Sequence, residues 1–331
     1  MNLTAQVLAR EVAATGFGGE GLEKVFRLMA LLDALNSHPF LKNRVVLKGG
    51  TALNLFQFDV PRLSVDIDLN YIGAADRETM LAECPKLEQA VQAVCSREGL
   101  TIKRVPSDHA GGKWRLTYVA STGGSANLEL DMNFMLRTPL WPVRHLQSYA
   151  VGSFKAAPVP VLDLHELASG KLAALLARSA NRDVFDAHRL LAVPELDHAK
   201  LRLGFVIYGG LNRKDWRTVS PTDVVANHSD ARNDLVPMLR ADLAPPRAQI
   251  ATWLDKLVAE CRERLAIVLP LRSHELEFLE HLNGAGNITP ELLTDDPTMQ
   301  ALIRNHPGLK WKAMNVKKHV GSSAPDDGAD A

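Results

Sequence analysis

The strongest constraint on this chain is Asp66-Ile67-Asp68, set in the stretch VVLKGGTALNLFQFDVPRLSVDIDLN from Val45 to Asn70. Alternate side chains of an extended strand point to opposite faces, so Asp66 and Asp68 share one face while Val65, Ile67 and Leu69 fill the other. Two carboxylates about 7 Å apart on one face raise each other's proton affinity unless a cation lies between them. A hard divalent ion such as Mg²⁺ suits carboxylate and polyphosphate oxygens, so the pair reads as a metal clamp. Upstream, Lys48-Gly49-Gly50-Thr51 follows the apolar run Val45-Val46-Leu47 and opens a helix-like Ala52–Phe56. Glycine permits close backbone approach, and the free amides of a helix start, joined by the Thr51 hydroxyl, make a phosphate cradle.

Strand, glycine turn, short helix and acid-bearing strand, in that order, resemble the nucleotidyltransferase superfamily of DNA polymerase beta type. The closer likeness is to the AbiEii/AbiGii toxin family, with its MenT-type toxins. Its Lys-Gly-Gly-Thr-Ala-Leu block is matched by Lys48 to Leu53, and its Arg-x-Ser-x-Asp-x-Asp-Leu block by Arg62, Ser64, Asp66, Asp68 and Leu69. A third block is matched by Lys171 to Leu175 and by Arg182, Asp183 and Asp186. The blocks span Val45 to Leu190, and the rest matches in helical character alone.

That resemblance implies an α/β (α+β) fold in which a mixed sheet flanked by helices is followed by a mostly helical C-terminal domain. The expected division is 1–157 for the nucleotidyltransferase-fold domain, 158–319 for a helical domain completing the groove, and 320–331 for a disordered tail. It also implies an NTP-dependent, Mg²⁺-requiring nucleotidyltransferase that releases pyrophosphate and acts as the toxin of a bacterial toxin–antitoxin or abortive-infection system. The leading acceptor is a tRNA 3′ end, and an antitoxin would be encoded beside it. By the same resemblance Lys171 faces the triphosphate and Asp186 carries a functional carboxylate, holding either Lys171 or the acceptor. Two rivals stand beside this reading: an enzyme modifying a small hydroxylated molecule such as an antibiotic, and a noncatalytic descendant that only binds nucleotide or protein.

Further residues bear on the site. On the strand Ala126–Phe134, Glu129, Asp131 and Asn133 share one face, so Asp131 or Glu129 is available as a third carboxylate beside Asp186. Asp131 is slightly preferred. Strand alternation puts Ser64 on the carboxylate face, where it would touch phosphate, accept a modification, or simply begin the strand. Arg182 either binds phosphate or pairs with a carboxylate, and Asp183 is explained by the dipole of the helix it begins.

Apolar period makes the first 41 residues helical, with Val25, Leu28, Met29, Leu32 and Leu35 as the stripe. A helix is expected over Arg77–Glu98, then strands at Leu100–Val105, Trp114–Val119 and Ala126–Phe134 separated by Gly111-Gly112 and Gly123-Gly124, giving about five strands in all. Pro158–Val161 reads as a connector, and Asp163 as the cap of a helix to Arg178 with Glu166 three residues on. Gly204–Tyr208 is open between helix and strand. Helices follow at Ile250–Leu269 and Leu271–Leu282, the latter closed by Asn283-Gly284.

With 38 Lys plus Arg against 38 Asp plus Glu, net charge does not advertise nucleic acid. The one basic end, Lys310-Trp311-Lys312 with Lys317, Lys318 and His319, reads either as an RNA contact or as a solvated helix end over a buried Trp311. Three cysteines without zinc-ligand spacing fit a reducing cytoplasm, and no run suggests a signal peptide or a membrane span.

Overall fold

The computed structural model describes residues 3–104, 111–178 and 180–322. Its centre is a mixed seven-stranded sheet in the order β3-β4-β5-β2-β1-β7-β6. The strands are β1 Val45–Lys48, β2 Asp66–Tyr71, β3 Thr101–Arg104, β4 Gly111–Val119, β5 Ser125–Asn133, β6 Arg144–Leu146 and β7 Val159–Val161. The acid-bearing strands lie side by side: β2 runs parallel to β5, with Asp66 opposite Glu129 and Asp68 opposite Asp131. On its other edge β2 is antiparallel to β1, where Lys48 stands opposite Asp68.

Two strands exceed the five expected. Pro158–Val161 is mostly strand: β7 pairs parallel with β1 at Leu47↔Val161 and antiparallel with β6. Each of these strands has three residues and Pro160 removes a donor from β7, which erases the alternation that marks longer strands. Gly111 and Gly112 are the first residues of β4 rather than a separator, paired with Asn133 and Met132. Val105 lies outside the described residues.

The N-terminal helices are α1 Ala5–Thr15 and α2 Gly19–Ser37. Gly16 in the left-handed region ends α1 at a break that the apolar period alone does not mark. The expected stripe is buried, Val25 and Leu28 completely, and with α4 Arg77–Arg97 it covers the apolar side of the sheet built from Ile67, Leu69, Leu128 and Leu130. That burial leaves the opposite, acid-bearing face to hold the site.

On the acid-bearing side stand α5 Leu164–Ala177 and, packed against it, α6 Asn181–Leu190 and α7 His198–Gly210, so the ambiguous Gly204–Tyr208 is helix. Asp163 caps α5 by accepting from the His165 amide at 2.9 Å. Glu166 does not return to that cap. It is buried and accepts from the Leu140 amide and the Tyr208 hydroxyl, both at 2.9 Å, tying α7 and the 140 loop to α5.

The chain continues through α8 His228–Asp234, α9 Ile250–Arg264, α10 Ser273–Ala285, α11 Pro297–Asn305 and α12 Pro307–Ser322. Helix α10 passes Asn283-Gly284 and ends at Gly286, whose φ of 64° supplies the left-handed cap. Trp311 is not buried but 55% exposed. Of the tail expected over 320–331, residues 320–322 form the last turn of α12, and those from 323 lie outside the described residues. No helix among the described residues is long and apolar enough to cross a membrane.

Candidate active site

The paired acids sit where the alternation of β2 puts them. Asp66 and Asp68 are half-buried while Ile67 and Leu69 are buried beneath. Both line a cavity of about 260 Å³ together with Glu129 and Asp131 of β5. Burial, and then the charge of Asp68, pushes the Asp66 carboxyl above its usual range. Asp131 rises too, first through burial and with Asp68 adding to it, while Lys48 works against the rise. Of the two candidates on β5, Glu129 is committed to Lys113 at 2.7 Å and Arg115 at 3.7 Å. Asp131 stands beside Asp68 in register.

Five basic side chains, Arg62, Lys113, Lys171, Arg178 and Arg182, line the same cavity against five acids. Such a mixture suits a ligand that brings both phosphate and a divalent cation. Arg182 reaches Asp66 at 3.9 Å, with both side chains more than 40% exposed. A contact of that kind is weak enough to yield to a phosphate.

The glycines are explained by contact. Gly49 has φ +73°, and a Cβ there would overlap Asp68 Oδ2. A Cβ on Gly50 would lie 2.9 Å from Ser64 Oγ and 3.0 Å from Arg62 Nη2. The helix begins three residues before Ala52, as α3 Gly49–Ala52 followed by a π-helical turn Leu53–Gln57. Thr51 departs from its expected place: its side chain is fully buried, its hydroxyl donating to the Asp66 carbonyl and lying 3.1 Å from Ser64 Oγ, whose own hydroxyl can donate back. It fixes α3 to β2 and is not turned to a ligand. Ser64 is mostly buried, and it lines the cavity.

Behind the acids lies a buried ion cluster. Asp186 on α6 is fully buried and accepts from Arg62 Nε at 2.7 Å, Arg62 Nη2 at 2.6 Å and Asn54 Nδ2 at 3.0 Å. Lys171 Nζ lies 2.9 Å from Asp186 Oδ2 and 2.8 Å from Asp183 Oδ1. Asp186 thus contacts Lys171 and is itself buried. Burial works to raise its carboxyl, but Arg62 and Lys171 override that and hold it well below the usual range. Lys171 is correspondingly raised, because the two aspartates outweigh the cost of burying it. It lines the cavity while paired with both aspartates.

Asp183 is more than a dipole complement, since it is buried and also binds Arg178 Nε at 2.7 Å. Arg62 belongs to the matched motif, which by itself gives it no role. Alternation carried back from Asp66 through Ser64 puts Arg62 on the same side, and that is the signal in the sequence that points to it.

A second cavity of about 460 Å³ adjoins the first, sharing Gly50, Asp68, Asp131, Lys171 and Arg178. It is lined by Lys48, Gly49 and apolar residues of α5. Every residue singled out in the sequence for the site except Thr51 and Asp186 therefore faces one or both cavities.

Divalent metal fits the donor set. Among the described residues no three or more His, Cys, Asp or Glu close into a metal cage. Mg²⁺ needs none, because it binds through one or two carboxylates while phosphate oxygens and water complete its shell.

Seven chains of solved structures match. One is MenT4, a nucleotidyltransferase toxin from Mycobacterium tuberculosis H37Rv, with a TM-score of 0.55 at 18% identity, covering 93% of this chain and 99% of that one. At that identity the likeness concerns the fold. No curated protein matches. The family model for the nucleotidyl transferase AbiEii toxin of type IV toxin–antitoxin systems matches residues 30–319. The chain belongs to the AbiEii nucleotidyltransferase toxin family.

Proposed function

We propose that this enzyme transfers a nucleotidyl group from a nucleoside triphosphate to a hydroxyl of RNA, with a tRNA 3′ end as the leading acceptor. The reading is supported above all by one observation: Asp66, Asp68 and Asp131 share a cavity with five basic side chains. Asp66 and Asp68 are the residues that would hold Mg²⁺, and the ion bound there offsets phosphate charge and makes the attacking hydroxyl more acidic.

The acceptor oxygen attacks the α-phosphorus as the bond to pyrophosphate breaks. Asp131, raised by burial, takes the hydroxyl proton, a role for which a carboxyl of raised pKa is suited. Arg178, Arg182 and Lys171 receive the negative charge of the departing pyrophosphate near Gly49 and Gly50. Asp186 serves by fixing Lys171 and Arg62. In this reading residues 1–157 carry Asp66, Asp68 and Asp131, residues 158–319 supply the three cations that meet the pyrophosphate, the reaction takes place in the bacterial cytoplasm, and an antitoxin is encoded beside the gene.

The test is incubation of the purified protein with Mg²⁺, labelled nucleoside triphosphates and total RNA, alongside Asp68→Ala and Lys171→Ala. Label on RNA that disappears in Asp68→Ala supports the reading. Label on small hydroxylated compounds with none on RNA overturns the acceptor.

A further inference from the structure

The strand register carries the catalytic acids outward into a band of cations. Across the acid-bearing face, Lys48 of β1, Asp68 of β2, Asp131 of β5 and Lys113 of β4 stand opposite one another in one row. A second row runs through Asp66 of β2, Glu129 of β5, Arg115 of β4 and Arg104 of β3, a bulge after Ile102 bringing Arg104 opposite Arg115. Side chains of directly opposed residues share a face, so both rows lead from the acids to cations at the margin of the sheet. With strands about 4.8 Å apart, the backbone of Arg115 stands about 10 Å from that of Asp66, and that of Arg104 about 14 Å.

This margin is open and of one sign. Lys113 and Arg115 are 58% and 62% exposed, and Arg104 is exposed as well. Strands β3 and β4 contain four cations, Lys103, Arg104, Lys113 and Arg115, and no acid, in a chain whose charges sum to zero. Their neighbour Glu129 lies 2.7 Å from Lys113 and 3.7 Å from Arg115. Contacts between side chains so exposed are weak and yield to a phosphate. Cations on an edge strand also deter pairing with other chains, but Arg115 is on β4, inside the sheet, where no edge needs protection.

We infer that this margin is the track along which the backbone of the acceptor RNA leaves the catalytic cavity. The inference rests on the proposal that RNA is the acceptor. Lys113 joins track to cavity, since it lines the cavity and stands opposite Asp131. Gly49 and Gly50 follow Lys48 at the other end of the first row, so the triphosphate and the track approach the acids from opposite sides. A strand that reacts at its terminal hydroxyl brings a phosphate with every nucleotide behind it, and cations two and three strands from Asp66 meet those charges. A small hydroxylated acceptor brings nothing that far from the acids.

The test compares full-length wild type with Arg104→Gln/Arg115→Gln and with Glu129→Gln in transfer to RNA. The double variant is expected to raise the KM for RNA about tenfold and to flatten the dependence of log affinity on log salt by about 1.4, since each phosphate neutralised on a single strand contributes ~0.7 to that slope. Its KM for the nucleoside triphosphate and its kcat at saturating RNA stay at wild-type values, and circular dichroism verifies folding. Glu129→Gln releases Lys113 and Arg115 and is expected to move the KM for RNA the other way, lowering it severalfold, a sign that damage to the fold does not produce.

A KM for RNA that stays at its wild-type value in the double variant overturns the track and spares the acceptor reading. So does a KM that rises in Glu129→Gln as well, which gives the second row a structural role. A double variant that transfers to RNA normally but no longer binds a purified cognate antitoxin assigns the margin to a protein and overturns the track equally. A wild-type protein that labels no RNA defeats the underlying reading, and this one with it.

Discussion

Asp186 binds Arg62 through two parallel hydrogen bonds, at 2.7 and 2.6 Å, with both side chains at most 3% exposed. The pair joins the loop before β2 to α6, and Lys171 makes it a triad. Removing one member leaves uncompensated charge in the interior. Asp186→Ala is therefore expected to lose about 3–5 kcal/mol of unfolding free energy, measured by urea titration. A loss below ~1 kcal/mol would show that the cluster contributes little to stability.

The same cluster sets the acid limit. Asp186 and Asp183 are held below their unfolded values, so the stability they contribute is present above the ordinary carboxylate pKa of about 3.9 and is lost as the pH falls through the folded values. Urea midpoints are expected to drop steeply below about pH 4 in the wild type, with a shallower slope in Asp186→Asn. Equal slopes in the two proteins would refute the assignment.

Glu166 behaves in the opposite sense. Burial pushes its carboxyl from 4.5 up to about 7, so the folded protein binds that proton more tightly than the unfolded chain. Its contribution is complete below the unfolded value and disappears as the pH rises through about 7. Glu166→Gln, which stays neutral, is expected to abolish a stability difference on the order of 3 kcal/mol between pH 4 and pH 8. Parallel pH profiles for variant and wild type would count against it.

Much of this arrangement is legible in the sequence. Asp66 and Asp68 are separated by a single apolar residue on a strand whose other face is wholly apolar, and burial of that face leaves no freedom in their direction. Asp131 is legible for the same reason. Thr51 is not, because a hydroxyl at a helix start can turn inward, and only the neighbouring Asp66 carbonyl decides. Asp183 looks sufficient as a dipole partner, since its bond to Lys171 depends on how α5 packs on α6, a tertiary matter with no local signature. Strands β6 and β7 escape a reading by period because three residues with a proline are too few to show one.

Gly49→Ala is expected to fold but to displace Asp68, because the added methyl would occupy the position of its carboxylate at a backbone angle that disfavours any side chain. A shift of about 1 Å at a reacting centre costs roughly 100-fold, so kcat in the transfer assay is the measurement. Wild-type turnover in this variant would remove Asp68 from the chemistry.

Chelation of divalent ions is expected to stop transfer, and Mg²⁺ to restore it. Independently of activity, Mg²⁺ at ~100 times its Kd is expected to stabilise the wild type by about 2.7 kcal/mol and Asp68→Ala by far less, read as a shift in thermal midpoint. Identical shifts would place the ion elsewhere.

The distribution of the site along the chain has a consequence for how such a toxin is made. Its acids come from β2 and β5, but the counter-ion shared by Arg62 and Lys171 arrives only with α6. A nascent polypeptide still short of Asp186 on the ribosome holds the strand-borne acids without the buried carboxylate that seats Arg62 and Lys171.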